Sequence, residues 1–264
     1  MNIKKIKFLA KHIFNFSDSK LEYYNQFPCQ SLTQEASDPF KVKSVLLHKD
    51  KVKTIFDVGA HEGIITARYR ELFTKAKIFA FEPYFPSFEG LTKNYATDAL
   101  VSLHNLAISS NIGQHKLNVN SSILTNSLLE TDIKGSSNWK EGLLETVETR
   151  TVDVITLDKF CLDNQISFID LLKLDIQGNE LSALRGAQQL LLDQCIDVIY
   201  CEIILVPTYQ KQGLFSQVLD FAQNFNYQLF GIYNPCYKQL RLNQIDIILV
   251  SQKIYSSYAN LLLE

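Results

Sequence analysis

The stretch Phe56-Asp57-Val58-Gly59-Ala60-His61-Glu62-Gly63 joins an apolar run to a segment with helical periodicity. The pattern predicts a strand over Thr54 to Val58, a glycine turn, and a helix that begins near Ile64. This unit forms the ligand cradle of doubly wound α/β folds, because glycine lets the backbone approach a ligand closely. The dinucleotide fingerprint G-x-G-x-x-G is absent, since position 57 is Asp57 and position 61 is His61. An NAD-dependent reductase is therefore disfavoured.

Two acidic residues at the ends of neighbouring strands indicate the class of ligand. A carboxylate at Asp57 would repel a pyrophosphate, but it can pair, directly or through water, with the ammonium of a methionine-derived ligand such as S-adenosylmethionine. Glu82 ends the second predicted strand, Lys77 to Glu82, and Pro83 stops that strand. An acidic residue at this position suits acceptance from two ribose hydroxyls. Together the two carboxylates favour a nucleoside ligand.

Apolar runs alternate with segments of helical period along most of the chain, which predicts βαβ units and a parallel sheet. Leucines at three- and four-residue steps predict one helix over Asn179 to Asp193, with Asn179 as its N-cap. The last two strands are joined by too short a link for a crossover helix, so we expect them to pair antiparallel. The seven predicted strands are Thr54 to Val58, Lys77 to Glu82, Leu100 to Ala107, Phe168 to Leu174, Asp197 to Ile203, Tyr227 to Tyr233 and Gln244 to Ser251.

Composition and charge narrow the class of protein further. The chain has 264 residues, of which 46% are hydrophobic, so it can bury a core. Its 26 basic and 28 acidic residues leave a formal charge of −2, too balanced for a protein that coats nucleic acid or an anionic membrane. The five cysteines show no metal-binding spacing, and no run is long enough to span a bilayer. We expect a cytoplasmic protein with an N-terminal helical appendage over residues 1–50 and one catalytic domain over residues 51–264.

At this point the chain resembles the FkbM family of S-adenosylmethionine-dependent methyltransferases, from about Thr54 to Ser251. No single motif is specific, but six occur in the order of the family. The matching pieces are Phe56-Asp57-Val58-Gly59-Ala60-x-x-Gly63 with Thr66, then Phe81-Glu82-Pro83, Asn105-Leu106-Ala107-Ile108-Ser109, Thr151-Val152-Asp153-Val154-Ile155-Thr156-Leu157-Asp158, Leu172-Lys173-Leu174-Asp175-Ile176-Gln177-Gly178-Asn179-Glu180, and Leu184-x-Gly186-Ala187.

The resemblance implies an α/β fold, a class I methyltransferase Rossmann-like seven-stranded sheet with a terminal antiparallel hairpin. It also implies methyl transfer from S-adenosylmethionine, usually to a hydroxyl of a natural product, a peptide-derived metabolite or a sugar. By position, the residues expected to bind the cofactor are Asp57, Gly59, Ala60, Gly63, Glu82, Pro83, Asn105 and Ala107. Gln177 departs from the commonest pattern of the family, in which a glutamate stands in the Asp-x-Glu-Gly motif.

Methyl transfer to a neutral hydroxyl needs a proton acceptor or a metal beside the acceptor oxygen. Lys173 and Asp175 lie two residues apart on a predicted strand and should share one face at its carboxyl end. Burial would make Lys173 a base, whereas a partnering Asp175 would keep it charged, and the sequence leaves both alternatives open. Glu202 is a second candidate base, so the predicted catalytic residues are Lys173, Asp175 and Glu202. Asp175 and Glu202 could instead hold a divalent cation.

A different class of function remains open beside the enzyme. Gln177 would also fit a catalytically weak, methyltransferase-like scaffold that binds the nucleoside without transferring a methyl group. For the enzyme, we expect a small-molecule or glycan acceptor and no nucleic acid. The acceptor pocket is expected to involve residues 1–50, the polar segment Asn118 to Thr146, and the loop after Glu202 with Pro207, Tyr209 and Gln210.

Overall fold

The computed structural model describes residues 36–261, and that part of the chain forms eight α-helices and ten strands, besides three short 3-10 helices. The helices are α1 (Pro39–Leu46), α2 (Ile64–Leu72), α3 (Phe85–Tyr95), α4 (Leu157–Asp163), α5 (Glu180–Arg185), α6 (Gln188–Leu192), α7 (Phe215–Gln223) and α8 (Gln252–Leu261). The strands are β1 (Thr54–Val58), β2 (Lys77–Phe81), β3 (Val101–His104), β4 (Ala107–Ile108), β5 (Gly113–Asn120), β6 (Thr146–Ile155), β7 (Ile169–Leu174), β8 (Ile196–Ile204), β9 (Gln228–Lys238) and β10 (Arg241–Val250).

A seven-stranded sheet with the order β3-β2-β1-β7-β8-β10-β9 forms the centre of the fold. Strands β3, β2, β1, β7 and β8 pair in parallel, and β10 runs antiparallel to both β8 and β9. Only Gln239 and Leu240 link β9 to β10, so the chain must turn back directly, as a hairpin does. The predicted α/β fold with a terminal antiparallel hairpin is confirmed.

A second, three-stranded sheet with the order β4-β6-β5 was not expected from the sequence. The predicted strand Leu100 to Ala107 is wrong as one piece: β3 ends at His104, and Ala107 and Ile108 pair with β6 instead. The alternation of side chains in β6 is weak, with most residues exposed, so its pattern resembles a polar loop. This small sheet borders the carboxyl edge of the large one and contributes to the site described below.

The single helix expected over Asn179 to Asp193 is also wrong, because the chain forms α5 and α6 with a break at Gly186. A Cβ atom at Gly186 would lie 2.2 Å from the carbonyl oxygen of Ser109, so close packing against that backbone requires glycine there. Asn179 makes no capping hydrogen bond with its side chain. Its Nδ2 donates instead to the carbonyl oxygen of Ile108 at 3.2 Å, which ties the start of α5 to the small sheet.

Buried apolar residues form a core on each side of the large sheet. One core includes Phe56 and Leu172 of the sheet, and the other includes Ile55 and Leu171, as the alternation of strand side chains requires. Helix α1 contributes Leu46 to the second core. The appendage predicted over residues 1–50 lies outside the described residues up to residue 35, and its boundary stays a prediction. Within residues 36–261, no helix is both long and apolar enough to cross a membrane.

Candidate active site

A cleft opens at the carboxyl edge of the parallel strands, where doubly wound sheets place their ligands. It runs from Gly59, after β1, past Glu82 and Pro83, after β2, to Ala107 in the small sheet. Asp175, after β7, lines its other side. The segment 123–128, which follows β5, closes the cleft with the mainly apolar side chains of Ile123, Leu124, Asn126, Ser127 and Leu128.

The backbone N–H groups of the turn after β1 donate hydrogen bonds to other atoms of the protein. The amides of Gly59 and Ala60 both donate to the carbonyl oxygen of Phe81, at 3.0 and 2.9 Å, and the amide of Gly63 donates to Ala60 at 2.8 Å. The amide of His61 donates to Glu82 Oε2 at 3.0 Å. Four donors that would bind a phosphate in a dinucleotide site are therefore engaged, which disfavours a pyrophosphate ligand.

Close packing explains the first glycine of this turn. Gly59 has φ +78°, and a Cβ atom there would lie 1.9 Å from the carbonyl oxygen of Asp175. The turn and the end of β7 consequently pack so closely that no side chain fits between them at this position, and both line the cleft.

Glu82 presents a buried carboxylate to the cleft. Its Oε1 accepts a hydrogen bond from the amide of Tyr84 at 2.8 Å, and its Oε2 accepts one from His61. Burial raises the pKa of Glu82 to about 7, although both amides oppose that rise. Each carboxylate oxygen keeps a second lone pair, so two further hydroxyl donors could bind here.

Lys173 lies beneath the turn, surrounded by oxygen atoms. Its Nζ donates to the carbonyl oxygen of Gly59 at 2.7 Å and lies 3.1 Å from Asp57 Oδ1 and 3.6 Å from Asp175 Oδ2. The other oxygen of Asp57 accepts from the Thr66 hydroxyl at 2.7 Å. Burial lowers the pKa of Lys173, but the nearby carboxylates raise it more, so the pKa lies above that of an ordinary lysine. Of the two alternatives left open by the sequence, the geometry favours the charged lysine.

Glu202 on β8 is held by two amide side chains. Gln177 Nε2 donates to its Oε2 at 2.7 Å, and Gln244 Nε2 donates to its Oε1 at 2.6 Å. Burial raises the pKa of Glu202 well above its usual range, and the negative charges of Asp175 and Glu180 raise it further. Gln177 also reaches Asp175 Oδ1 at 3.4 Å and so connects Glu202 to the cleft.

A further buried carboxylate, Asp246, lies beside Glu202 on the next strand of the sheet. Asp246 on β10 lies opposite Glu202 in the strand register, and its Oδ2 accepts from the Tyr200 hydroxyl at 2.5 Å and from Asn234 Nδ2 at 2.7 Å. Burial raises the pKa of Asp246. Gln244 and Asp246 were not singled out from the sequence. Polar residues two positions apart in an apolar strand are the signal that could have identified them.

The predicted site residues fall into two groups. Gly59, Glu82, Pro83, Ala107 and Asp175 line the cleft. The other predicted residues do not line the cleft but support its walls: Asp57 binds Lys173, Ala60 bonds to Phe81, Gly63 accepts a hydrogen bond from the Tyr95 hydroxyl, and Asn105 Nδ2 donates to the carbonyl oxygens of Glu82 and Pro83. Of the predicted catalytic residues, only Asp175 lines the cleft, whereas Lys173 lies behind Gly59 and Glu202 lies behind Gln177.

No cluster of metal-binding side chains among the described residues supports the divalent-cation alternative. Among residues 36–261, no group of three or more histidine, cysteine or acidic side chains is arranged to hold a metal ion. In addition, both oxygens of Glu202 face amide N–H donors, whose partial positive charge opposes a cation at the same place.

The strand order and the cleft at the carboxyl edge define a protein with the class I methyltransferase fold. The family profile described as Methyltransferase FkbM domain matches residues 57–229. The chain therefore belongs to the FkbM methyltransferase family, as the sequence motifs predicted.

Two curated relatives are methyltransferases by name. The 2-O-methyltransferase NoeI of Sinorhizobium fredii (strain NBRC 101917 / NGR234) is 27% identical over 191 residues, which cover 70% of this chain and 76% of that protein. The methyltransferase sdnD of Sordaria araneosa is 26% identical over 189 residues, covering 62% and 69% of the two chains. Among solved structures, the fibrillarin pre-rRNA processing protein of Methanococcus jannaschii is 9% identical and covers 85% of this chain and 86% of that chain, with a TM-score of 0.45.

Proposed function

We propose that this methyltransferase uses S-adenosylmethionine to methylate a hydroxyl of a small molecule, such as a natural product or a sugar. The observation that carries the proposal is the row of carboxylates from Glu82 through Asp175 to Glu202, which joins the ligand cleft to a buried proton acceptor. Transfer to oxygen is supported by the name of the relative NoeI, a 2-O-methyltransferase.

The chemistry of the cleft fits S-adenosylmethionine better than a dinucleotide. The four N–H groups of the first turn already donate within the protein and are not free to bind a phosphate. Glu82 and Asp175 present carboxylates to the cleft, and carboxylates bind hydroxyl groups and positive charge. Glu82 would accept hydrogen bonds from the ribose, and the apolar side chains of Leu106 and Ile108 would contact the adenine. When bound, the cofactor supplies an activated methyl group on a sulfonium.

Glu202 is the residue that we assign as proton acceptor. A general base works best when its pKa lies near the working pH, and burial among other carboxylates moves the pKa of Glu202 in that direction. In the overall reaction, the acceptor oxygen would gain the methyl group as its bond to the sulfonium breaks and leaves a neutral thioether, and the proton of the acceptor hydroxyl would pass to Glu202. The charged Lys173 serves in positioning, because it binds the carbonyl oxygen of Gly59 together with Asp57 and Asp175.

Calorimetry with S-adenosylmethionine and with S-adenosylhomocysteine tests the cofactor assignment. We expect both to bind, and Glu82→Gln to weaken binding about tenfold or more through loss of a charge-assisted hydrogen bond. Glu89→Gln on the exposed face of α3 is the matched control and should leave binding unchanged. The absence of binding to the wild-type protein would refute the proposed function.

A screen with a labelled methyl donor tests the transfer itself. Hydroxyl compounds such as sugars and polyketide alcohols are offered as acceptors, together with amine-bearing analogues and RNA. Transfer to a hydroxyl supports the proposal, whereas transfer to nitrogen or to RNA contradicts it. Cofactor binding without transfer to any acceptor would favour the scaffold. The exclusion of nucleic acid and the cytoplasmic location stay predictions.

A further inference from the structure

Gln177 is placed between two carboxylates that the proposed mechanism uses. Its Nε2 is 2.7 Å from Glu202 Oε2 and 3.4 Å from Asp175 Oδ1. Its backbone is in the left-handed region, with φ 55°, and its carbonyl oxygen accepts a hydrogen bond from the Ser127 hydroxyl at 2.7 Å. Gln177 also lines the cleft. A non-glycine residue in this conformation costs free energy, so the surrounding contacts must hold it there.

The orientation of the Gln177 amide follows from its partners. On one side, the Tyr209 hydroxyl lies 3.1 Å from Gln177 Oε1, but its single proton is shared with the carbonyl oxygen of Thr125 at 2.8 Å, so the other side decides the orientation. On the other side, Glu202 offers a carboxylate, which accepts hydrogen bonds and repels a carbonyl oxygen. The NH₂ group therefore faces the carboxylates, and a rotated amide would place two oxygen atoms in contact.

We propose that Gln177 is a positioning residue: its amide holds Glu202 as an oriented carboxylate, ready to receive the proton of the acceptor hydroxyl. Gln244 performs the same task on the other oxygen of Glu202. The catalytic part of this inference rests on the proposed function. The effect of Gln177 on the charge of Glu202 does not, and it can be measured without any acceptor.

The charges around Glu202 show what a neutral donor at position 177 contributes in place of a carboxylate. Three carboxylates act on Glu202 from three elements: Asp175 after β7, Glu180 on α5 and Asp246 on β10. Lys173 is the positive group that acts in the opposite direction. Two further titratable neighbours are the Tyr209 hydroxyl, on the loop after β8, and the Cys201 thiol on β8, and burial and Glu202 raise the pKa of both groups. A glutamate at position 177 would add another carboxylate within hydrogen-bond distance, and two such groups share one proton.

The variant Gln177→Glu tests the inference through the titration of Glu202. Carbon-13 NMR of protein labelled at the glutamate carboxyl carbons follows the titration, and the signal that disappears in Glu202→Gln assigns the residue. In the wild-type protein we expect a midpoint above the ordinary value of about 4.3. In Gln177→Glu the upper step should rise by about one pH unit or more.

A matched control separates this effect from the general addition of a carboxylate. Gln189 on α6 is exposed, and its Nε2 donates to Asp193 Oδ2 at 2.8 Å. Gln189→Glu repeats the same chemical change beside another carboxylate and should leave the Glu202 midpoint where it is. If Gln177→Glu fails to fold, Gln244→Glu makes the equivalent change at the other oxygen of Glu202, and the same rise is expected.

An unchanged Glu202 midpoint in a folded Gln177→Glu or Gln244→Glu protein would overturn the inference. A merely structural role would lower the free energy of unfolding without moving that midpoint. Once an acceptor is known, the acid limb of the profile of kcat/KM against pH should rise with the midpoint in Gln177→Glu. Failure of the proposed function would be seen separately, as loss of cofactor binding or methyl transfer in the wild-type protein.

Discussion

Two buried lysines differ in the groups that surround their ammonium ends: oxygen atoms surround Lys173, and aromatic rings surround Lys43. Lys173 on β7 is 2% exposed and has three oxygen atoms within 3.6 Å, from Gly59, Asp57 and Asp175. Lys43 on α1 is fully buried, and its Nζ lies 3.5 Å from the centre of the Tyr200 ring.

Aromatic rings supply most of the surroundings of Lys43. Besides Tyr200, its Nζ lies 4.2 Å from the centre of the Phe40 ring and 5.0 Å from that of Tyr69, and it donates to the Tyr69 hydroxyl at 3.1 Å. Burial lowers the pKa of Lys43 to about 7, and the more distant carboxylates of Asp246 and Asp57 oppose this only in part. Burial alone therefore does not decide the charge of a lysine, because the groups within hydrogen-bond distance determine whether the ammonium is stabilised.

Removing Lys173 should have the largest effect. In Lys173→Met the Asp57 carboxylate stays fully buried without its cation, which should lower the free energy of unfolding by about 3–5 kcal/mol. Urea unfolding at neutral pH measures this change. The double variant Lys173→Met with Asp57→Asn removes both charges and should recover part of the loss. A loss below about 1 kcal/mol in the single variant would show that the pair contributes little.

Lys43 should instead affect how the free energy of unfolding depends on pH. Its pKa is about 7 in the folded protein and about 10.4 in the unfolded chain. Between these values the unfolded chain binds more protons, so the free energy of unfolding rises with pH. We expect the wild-type protein to gain about 2 kcal/mol relative to Lys43→Met between about pH 7 and about pH 9.

Parallel urea titrations of the two proteins measure this difference in slope. Lys173 adds no slope over the same range, because its folded pKa lies above the unfolded value and its contribution declines only at higher pH. Equal slopes for wild-type protein and Lys43→Met would mean that the aromatic rings keep Lys43 charged.

The smallest effect should come from Tyr200→Phe, which keeps the ring over Lys43 and removes the hydroxyl that donates to Asp246. Asp246 keeps its hydrogen bond from Asn234, so the loss of one hydrogen bond should cost only about 1 kcal/mol. The pKa of Asp246 should rise, since that hydrogen bond opposes the effect of burial. Tyr237→Phe, on an exposed part of β9, is the control and should unfold as the wild-type protein does. An equal loss in both variants would contradict the assignment.

Local features of the sequence were sufficient to predict the large sheet and its terminal hairpin, but not the small sheet. The strand, turn and helix around Gly59, the apolar runs of the sheet and the short link between β9 and β10 each act over a few residues. The break at Gly186 was missed because it depends on the backbone of Ser109, which is distant in the sequence. Strand β6 was missed because its exposed residues lack the alternation of a half-buried strand.

Local patterns also identified which residues reach the cleft edge, since Glu82 and Asp175 follow strands whose ends meet there. The charge of Lys173 and the two amides on Glu202 depend on contacts between residues far apart in the chain. Residue types and spacings set periodicity and turns, which are local properties. The protonation and orientation of buried side chains depend on burial and on partners from other strands. For this reason, only the tertiary structure decides them.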